Sequence, residues 1–240
     1  MIRTGINFTT ALVLGAAMSF SVLAAGDDQK TKSGDEQAWS GFLGDDAVYE
    51  QMSEVIYKND RKGSRWLSPK LTFSTYKSLL VEPVTMFPKP EPSDQVPAEV
   101  LTEIQNYLTN ALRVRAAEVL NLSEAPGEGV VRAELAITGV SVKTEGMKAY
   151  EVLPVAAVWG GLKAATGNRA QDVHVYVEMK LTDSQTDELL GTAMRTLEGE
   201  DLKGKKDKLA LEDLKKSLDD AIDAAGITIQ TLKDSDQTDN

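Results

Sequence analysis

The chain has no cysteine, and its 240 residues include a single histidine, His174. Without thiols there is no disulfide framework, no Cys-ligated zinc and no cysteine nucleophile. One imidazole cannot build a multi-histidine metal site, and any histidine-based triad has to use His174. Positive charge is also scarce: 26 Lys+Arg stand against 37 Asp+Glu, a net charge of −11. A nucleic-acid binder needs a basic footprint, so no nucleic-acid partner is expected. Phosphate loops of the Gly-x4-Gly-Lys type and calcium loops of the EF-hand type are missing too. No cofactor and no metal site is expected from these counts.

What is present begins with an address. Arg3 precedes an apolar run from Ala11 to Ala25 that carries no charge, ends in small residues and turns polar at Gly26-Asp27-Asp28. This reads as a secretory signal peptide over residues 1–25, cleaved after Ala24 or Ala25. The run is shorter than the roughly 20 apolar residues a spanning helix needs, so no transmembrane helix is expected in the mature chain. Residues 26–38 are polar and without aromatics until Trp39, and read as a disordered linker.

Residues 39–232 read as one domain, with a disordered tail over 233–240. Trp39 to Gly44 has the look of an aromatic, Gly-punctuated segment that docks on a domain. Residues 45–69 show no decisive period. Ser78 to Val84 is a short apolar run closed by prolines and reads as a buried strand. Leu101, Ile104, Leu108, Ala111, Leu112 and Val119 recur at three- and four-residue steps, predicting a helix over about 98–120 with Pro97 near its start. Val131, Ala133, Leu135 and Ile137 alternate with polar residues, as do Val173 to Leu181; the polar turn 182–187 and the run 188–197 complete a hairpin. A last helix is expected over about 209–225. The fold class is therefore α+β: a single layered domain with a mixed sheet of four to five strands and helices packed mainly on one face.

Chemical motifs are few. Ser74-Thr75-Tyr76-Lys77 matches Ser-x-x-Lys, but its Ser-Asp-Asn and Lys-Thr-Gly companions are absent. His174 falls on the polar face of a strand beside Tyr176, Glu178 and Lys180. The segment Tyr150 to Gly167 is apolar nearly all round after Pro154 and has Gly160-Gly161 at its centre. It reads either as a crossover helix buried on the sheet or as an exposed, partner- or membrane-facing patch. On the second reading the interaction candidates are Tyr150, Val155, Val158, Trp159 and Leu162.

Several stretches together resemble one family. Ser40-Gly41-Phe42-Leu43-Gly44-Asp45, Trp66-Leu67-Ser68-Pro69, Tyr76 to Val84, Ala125 to Val130 and Asp183 to Leu190 are similar, in that order, to blocks of domain of unknown function 3313. That group consists of bacterial envelope proteins, mostly lipid-anchored, and the resemblance covers roughly residues 39–225. It implies a Gram-negative periplasm and carries no catalytic residues to transfer. It also gives weight to Leu23-Ala24-Ala25-Gly26, which has the shape of a lipoprotein signal with Gly26 where the lipid-bearing cysteine would stand. The protein is therefore expected to be soluble in the periplasm and not lipid-anchored. The favoured function is a non-catalytic binding or adaptor domain, not an enzyme. Its partner would be another envelope protein or a cell-wall component. The alternatives are a periplasmic small-ligand carrier, which needs an apolar pocket between helices and sheet, and a hydrolase using His174 or paired acids.

Overall fold

Strong strand alternation and two amphipathic helical periods organise the structure, a computed structural model that describes residues 39–57, 61–144, 171–204 and 206–238. These fall within one unit, Gln37–Asn240. The elements in chain order are α1 (Asp46–Glu50), β1 (Ser53–Ile56), β2 (Lys62–Leu67), β3 (Ser78–Val81), β4 (Thr85–Met86), α2 (Ala98–Ala117), β5 (Asn121–Leu122), β6 (Val130–Thr144), β7 (Gln171–Asp183), β8 (Leu189–Glu198) and α3 (Glu212–Thr238).

The strands form one eight-stranded sheet in the order β1-β2-β8-β7-β6-β3-β5, with β4 also pairing to β6. The chain is antiparallel from β1 through β6 and parallel where β3, β4 and β5 join. The α+β class stands, but the expected four to five strands do not. Strands β4 and β5 have two residues each, too short for any period to register. The pair β1–β2 carries little alternation because β2 is written Lys-Gly-Ser-Arg-Trp-Leu. Its positions Gly63, Arg65 and Leu67 share one face, and only Leu67 is an apolar chain of any size.

The helices follow from their apolar stripes. In α2, Val100, Leu101, Ile104, Leu108 and Ala116 are buried. In α3, Leu214, Leu218 and Ile222 are buried, and the helix runs on to Thr238, beyond the period read to Ala225 and into the stretch read as a tail. Both helices pack on the same side of the sheet, sharing a core with Ile137, Val140 and Val142 of β6 and Val173, Val175 and Val177 of β7. A β-bulge at Thr138 keeps Val140 and Val142 facing this core, since the register shifts between Ile137 and Gly139. Without the extra residue, period two would turn both valines outward.

The opposite side receives the N-terminal segment. Trp39 stacks on Tyr49 at 4.7 Å between ring centroids, and Tyr49 is buried. The signal-peptide reading, Gly26, and the candidates Tyr150, Val155, Val158, Trp159 and Leu162 all lie outside the described residues.

Candidate functional site

The core does not close along the whole length of the helices. A second apolar cluster, containing Tyr76, Leu79, Val81, Ala116, Val131 and Leu190, lies apart from the main one. Between the two is a cavity of ≈190 Å³. Leu108, Leu112, Ala116 and Leu120 face it from α2 and just beyond; Ala225, Gly226, Ile229 and Leu232 line it from α3. Its floor is the sheet: Ala133 and Leu135 of β6, Met179 and Leu181 of β7, Ala193 and Leu197 of β8, and Leu67 of β2. The small side chains Ala116, Ala133, Ala193 and Ala225 occupy positions where larger ones would fill the gap.

One end of this cavity is not apolar. Tyr57, Arg65, Arg115 and Arg195 line it. A polar recess of ≈350 Å³, lined by Tyr57, Arg61, Arg115, Arg195, Asp220, Asp223, Ala224 and Ile227, shares Tyr57, Arg115 and Arg195 with the cavity. The register explains the placement. Gly63 pairs with Arg195 and Arg65 with Ala193, so both arginines stand on the helix-facing side of the sheet, one strand apart. Gly63 leaves the space beside Arg195: a Cβ there would come within 2.9 Å of both the Arg195 side chain and the Tyr57 ring.

Each arginine has partial partners. Arg61 Nη2 sits 3.3 Å from Asp220 Oδ2 and its Nη1 donates to Ser217 Oγ at 3.4 Å. Arg65 Nη1 donates to Thr228 Oγ1 at 3.3 Å. Arg115 donates to Glu118 and lies 3.6 Å from Asp223 through Nε. Arg195 stacks its guanidinium over the Tyr57 ring at 4.0 Å. Yet the buried Nε atoms of Arg115 and Arg195 have no hydrogen-bond partner. Burial lowers the pKa of Arg195; Tyr57 and Asp220 oppose this and Arg61 adds to it. Gly226 permits the Arg115 side chain to lie flat on α3, since a Cβ there would overlap the guanidinium.

None of these arginines is a candidate on sequence alone, because an arginine in a strand or helix reads as solvated surface. One signal was available. Leu197 faces inward in β8, so period two places Arg195 inward as well.

The hydrolase residues fare differently. Ser74 and Lys77 lie in a turn ahead of β3, not on one turn of a helix. The register sets Ser141, His174 and Glu198 side by side on three adjacent strands, on the face away from the cavity. No hydrogen bond joins these three side chains among the described residues, so no base is seen set on the serine. Among the described residues, no group of three His, Asp or Glu gathers as a metal site, and no helix is long and apolar enough to cross a membrane.

Residues 38–225 match the family model described as "Protein of unknown function (DUF3313)". The "Uncharacterized lipoprotein YdcL" of Escherichia coli (strain K12) is 34% identical over 212 residues, covering 88% of this chain and 93% of that protein. Among solved structures, a Helicobacter pylori homologue of a neuraminyllactose-binding hemagglutinin aligns with a TM-score of 0.38 and 11% identity, over 68% of this chain and 86% of its own. The PelC dodecamer from Paraburkholderia phytofirmans aligns with a TM-score of 0.33 and 12% identity, over 71% and 96%. The E. coli relative, a lipoprotein by name, overturns the expectation that the protein is not lipid-anchored. That expectation rested on one position, Gly26, which lies outside the described residues.

Proposed function

The chain belongs to the DUF3313 family of proteins of unknown function, and from that membership we propose that it is a non-catalytic binding protein of the bacterial cell envelope. We place it in the periplasm and assign it a small apolar molecule, held between the sheet and the two long helices. The lipoprotein name of the E. coli relative supports the envelope location. The observation that carries the binding function is the cavity of ≈190 Å³. It is lined mainly by apolar side chains and walled in part by alanines, a form that suits an apolar occupant. Cavities of about 150 Å³ already admit benzene. This favours a carrier over docking at Tyr150–Gly167, whose residues contribute no observation.

The test is titration of the full chain with N-phenyl-1-naphthylamine, a neutral apolar fluorophore. Saturable enhancement is expected. Ala133→Phe and Ala193→Leu, which fill the cavity from its floor, are expected to weaken binding about tenfold or more, with melting temperature unchanged or raised. Absence of saturable binding to the wild type overturns the reading.

A further inference from the structure

The cavity is apolar along most of its wall, yet it ends on arginines in a protein whose net charge is −11. We propose that its ligand is a linear alkyl chain with an anionic head, the chain lying between sheet and helices and the head received by Arg115 and Arg195; this rests on the cavity being a binding site.

Three observations converge. First, buried guanidinium nitrogens are costly unless hydrogen-bonded, and the Nε atoms of Arg115 and Arg195 are both buried and without a partner. Second, four guanidinium groups gather here. Arg61, Arg65, Arg115 and Arg195 line the cavity end and the recess, with Asp220 and Asp223 in the recess and Glu82 and Glu178 in the cavity lining, the last bound by Tyr49 and Ser40. Asp220 Oδ2 lies 3.3 Å from Arg61 Nη2 as an ion pair but is buried without a hydrogen bond of its own, and Asp223 stands 3.6 Å from Arg115 Nε, beyond hydrogen-bond range. Glu118 takes a second edge of Arg115 from outside the cavity lining. Third, Arg195 Cζ lies over the Tyr57 ring at 4.0 Å, which holds the guanidinium in place, and a guanidinium binds carboxylate or phosphate oxygens through paired N–H groups. Arginines packing only by their stems would account for burial but not for two partnerless Nε atoms among residues that line the same cavity.

The experiment displaces N-phenyl-1-naphthylamine from the full chain with four competitors: decanoate, 1-decanol, decyl phosphate and inorganic phosphate. Decanoate or decyl phosphate is expected to bind at least about tenfold more tightly than decanol, the scale of one charge-assisted hydrogen bond. The preferred head identifies the anion as carboxylate or phosphate. Inorganic phosphate is expected not to compete; if it binds as tightly as decyl phosphate, the alkyl part of the proposal falls. Arg195→Gln and Arg115→Gln are expected to remove the preference and leave decanol binding unchanged. Preference retained in both variants overturns their assignment. Equal binding of decanoate, decyl phosphate and decanol by the wild type overturns the anionic head while the cavity reading stands, and this comparison needs no variant to fold. Failure of every alkyl competitor and of the fluorophore removes both.

Discussion

At Tyr49 a single hydroxyl completes the docking of the N-terminal segment. It accepts from the N–H groups of Gly41 at 3.0 Å and Leu43 at 3.1 Å, and donates to Glu178 Oε2 at 2.9 Å. Ser40 Oγ also lies 3.0 Å from it, so the one donor and two acceptor positions of the phenol are all in use. Ser40 Oγ also donates to Glu178 Oε2, at 2.8 Å. Burial raises the Tyr49 pKa, with the charge of Glu178 adding to it, which keeps the hydroxyl protonated and able to donate. Tyr49→Phe keeps the ring stacked on Trp39 but strands two backbone donors and leaves Glu178 Oε2 with Ser40 Oγ alone. Urea unfolding is expected to show a loss of ~1–3 kcal/mol, with a lower midpoint and an unchanged slope if the segment stays docked. Glu178 belongs to this side of the sheet, opposite the cavity, as the alternation of β7 in the sequence indicates.

At the scale of elements, the β7–β8 hairpin is tied at its turn by Asp183. Its Oδ1 accepts from the N–H groups of Gln185 and Thr186, both at 2.9 Å, and its Oδ2 accepts from Tyr76 Oη at 3.0 Å. The backbone bonds from Thr186 and Gln185 hold its pKa below the ordinary carboxylate value. A carboxyl lowered by folding contributes stability that is fully present above its unfolded value, about 3.9, and is lost as pH falls through the lower folded value. The wild type is therefore expected to lose stability across that acid window. Asp183→Asn is expected to be less stable at neutral pH and to show a flatter acid limb, measured by thermal melts from pH 6 to pH 2.5. The strands around this turn were readable in advance, because β6, β7 and β8 alternate cleanly. Strand β2 was not, and the reason is physical: its inward positions Gly63, Arg65 and Leu67 face a cavity and an arginine cluster instead of a packed core. Binary patterning reports burial against apolar neighbours, and it fails where a site replaces the core.

For the whole molecule, the last helix serves both the core and the cavity. Leu214, Leu218 and Ile222 fill the main core; Ala221, Ile222 and Ala225 also line the cavity, and Gly226, Thr228, Ile229 and Leu232 wall it further on. The family match stops at Ala225. Ending the chain after Ala225 is expected to leave a cooperative thermal transition and to abolish N-phenyl-1-naphthylamine binding. Retained binding in that truncation would place the fluorophore elsewhere. The acidity of the chain takes on meaning at this scale too. Exposed pairs such as Lys62 and Glu54 contribute little, while Arg61, Arg115 and Arg195 gather at a recess beside the cavity.

The sequence by itself determined the class and the family. Period two in β6 and β7 and the stripes of α2 and α3 require a sheet with helices on one face, and the ordered blocks from Ser40 to Leu190 suffice for membership. Tertiary structure alone decided the number of strands and the location of the cavity. Short strands such as β4 and β5 exist only because β6 and β3 offer them partners. The cavity exists only because side chains distant in the chain, from Tyr57 to Leu232, fail to meet. Local pattern specifies which face of an element turns inward; whether the inward faces touch depends on how far apart the packed backbones come to rest.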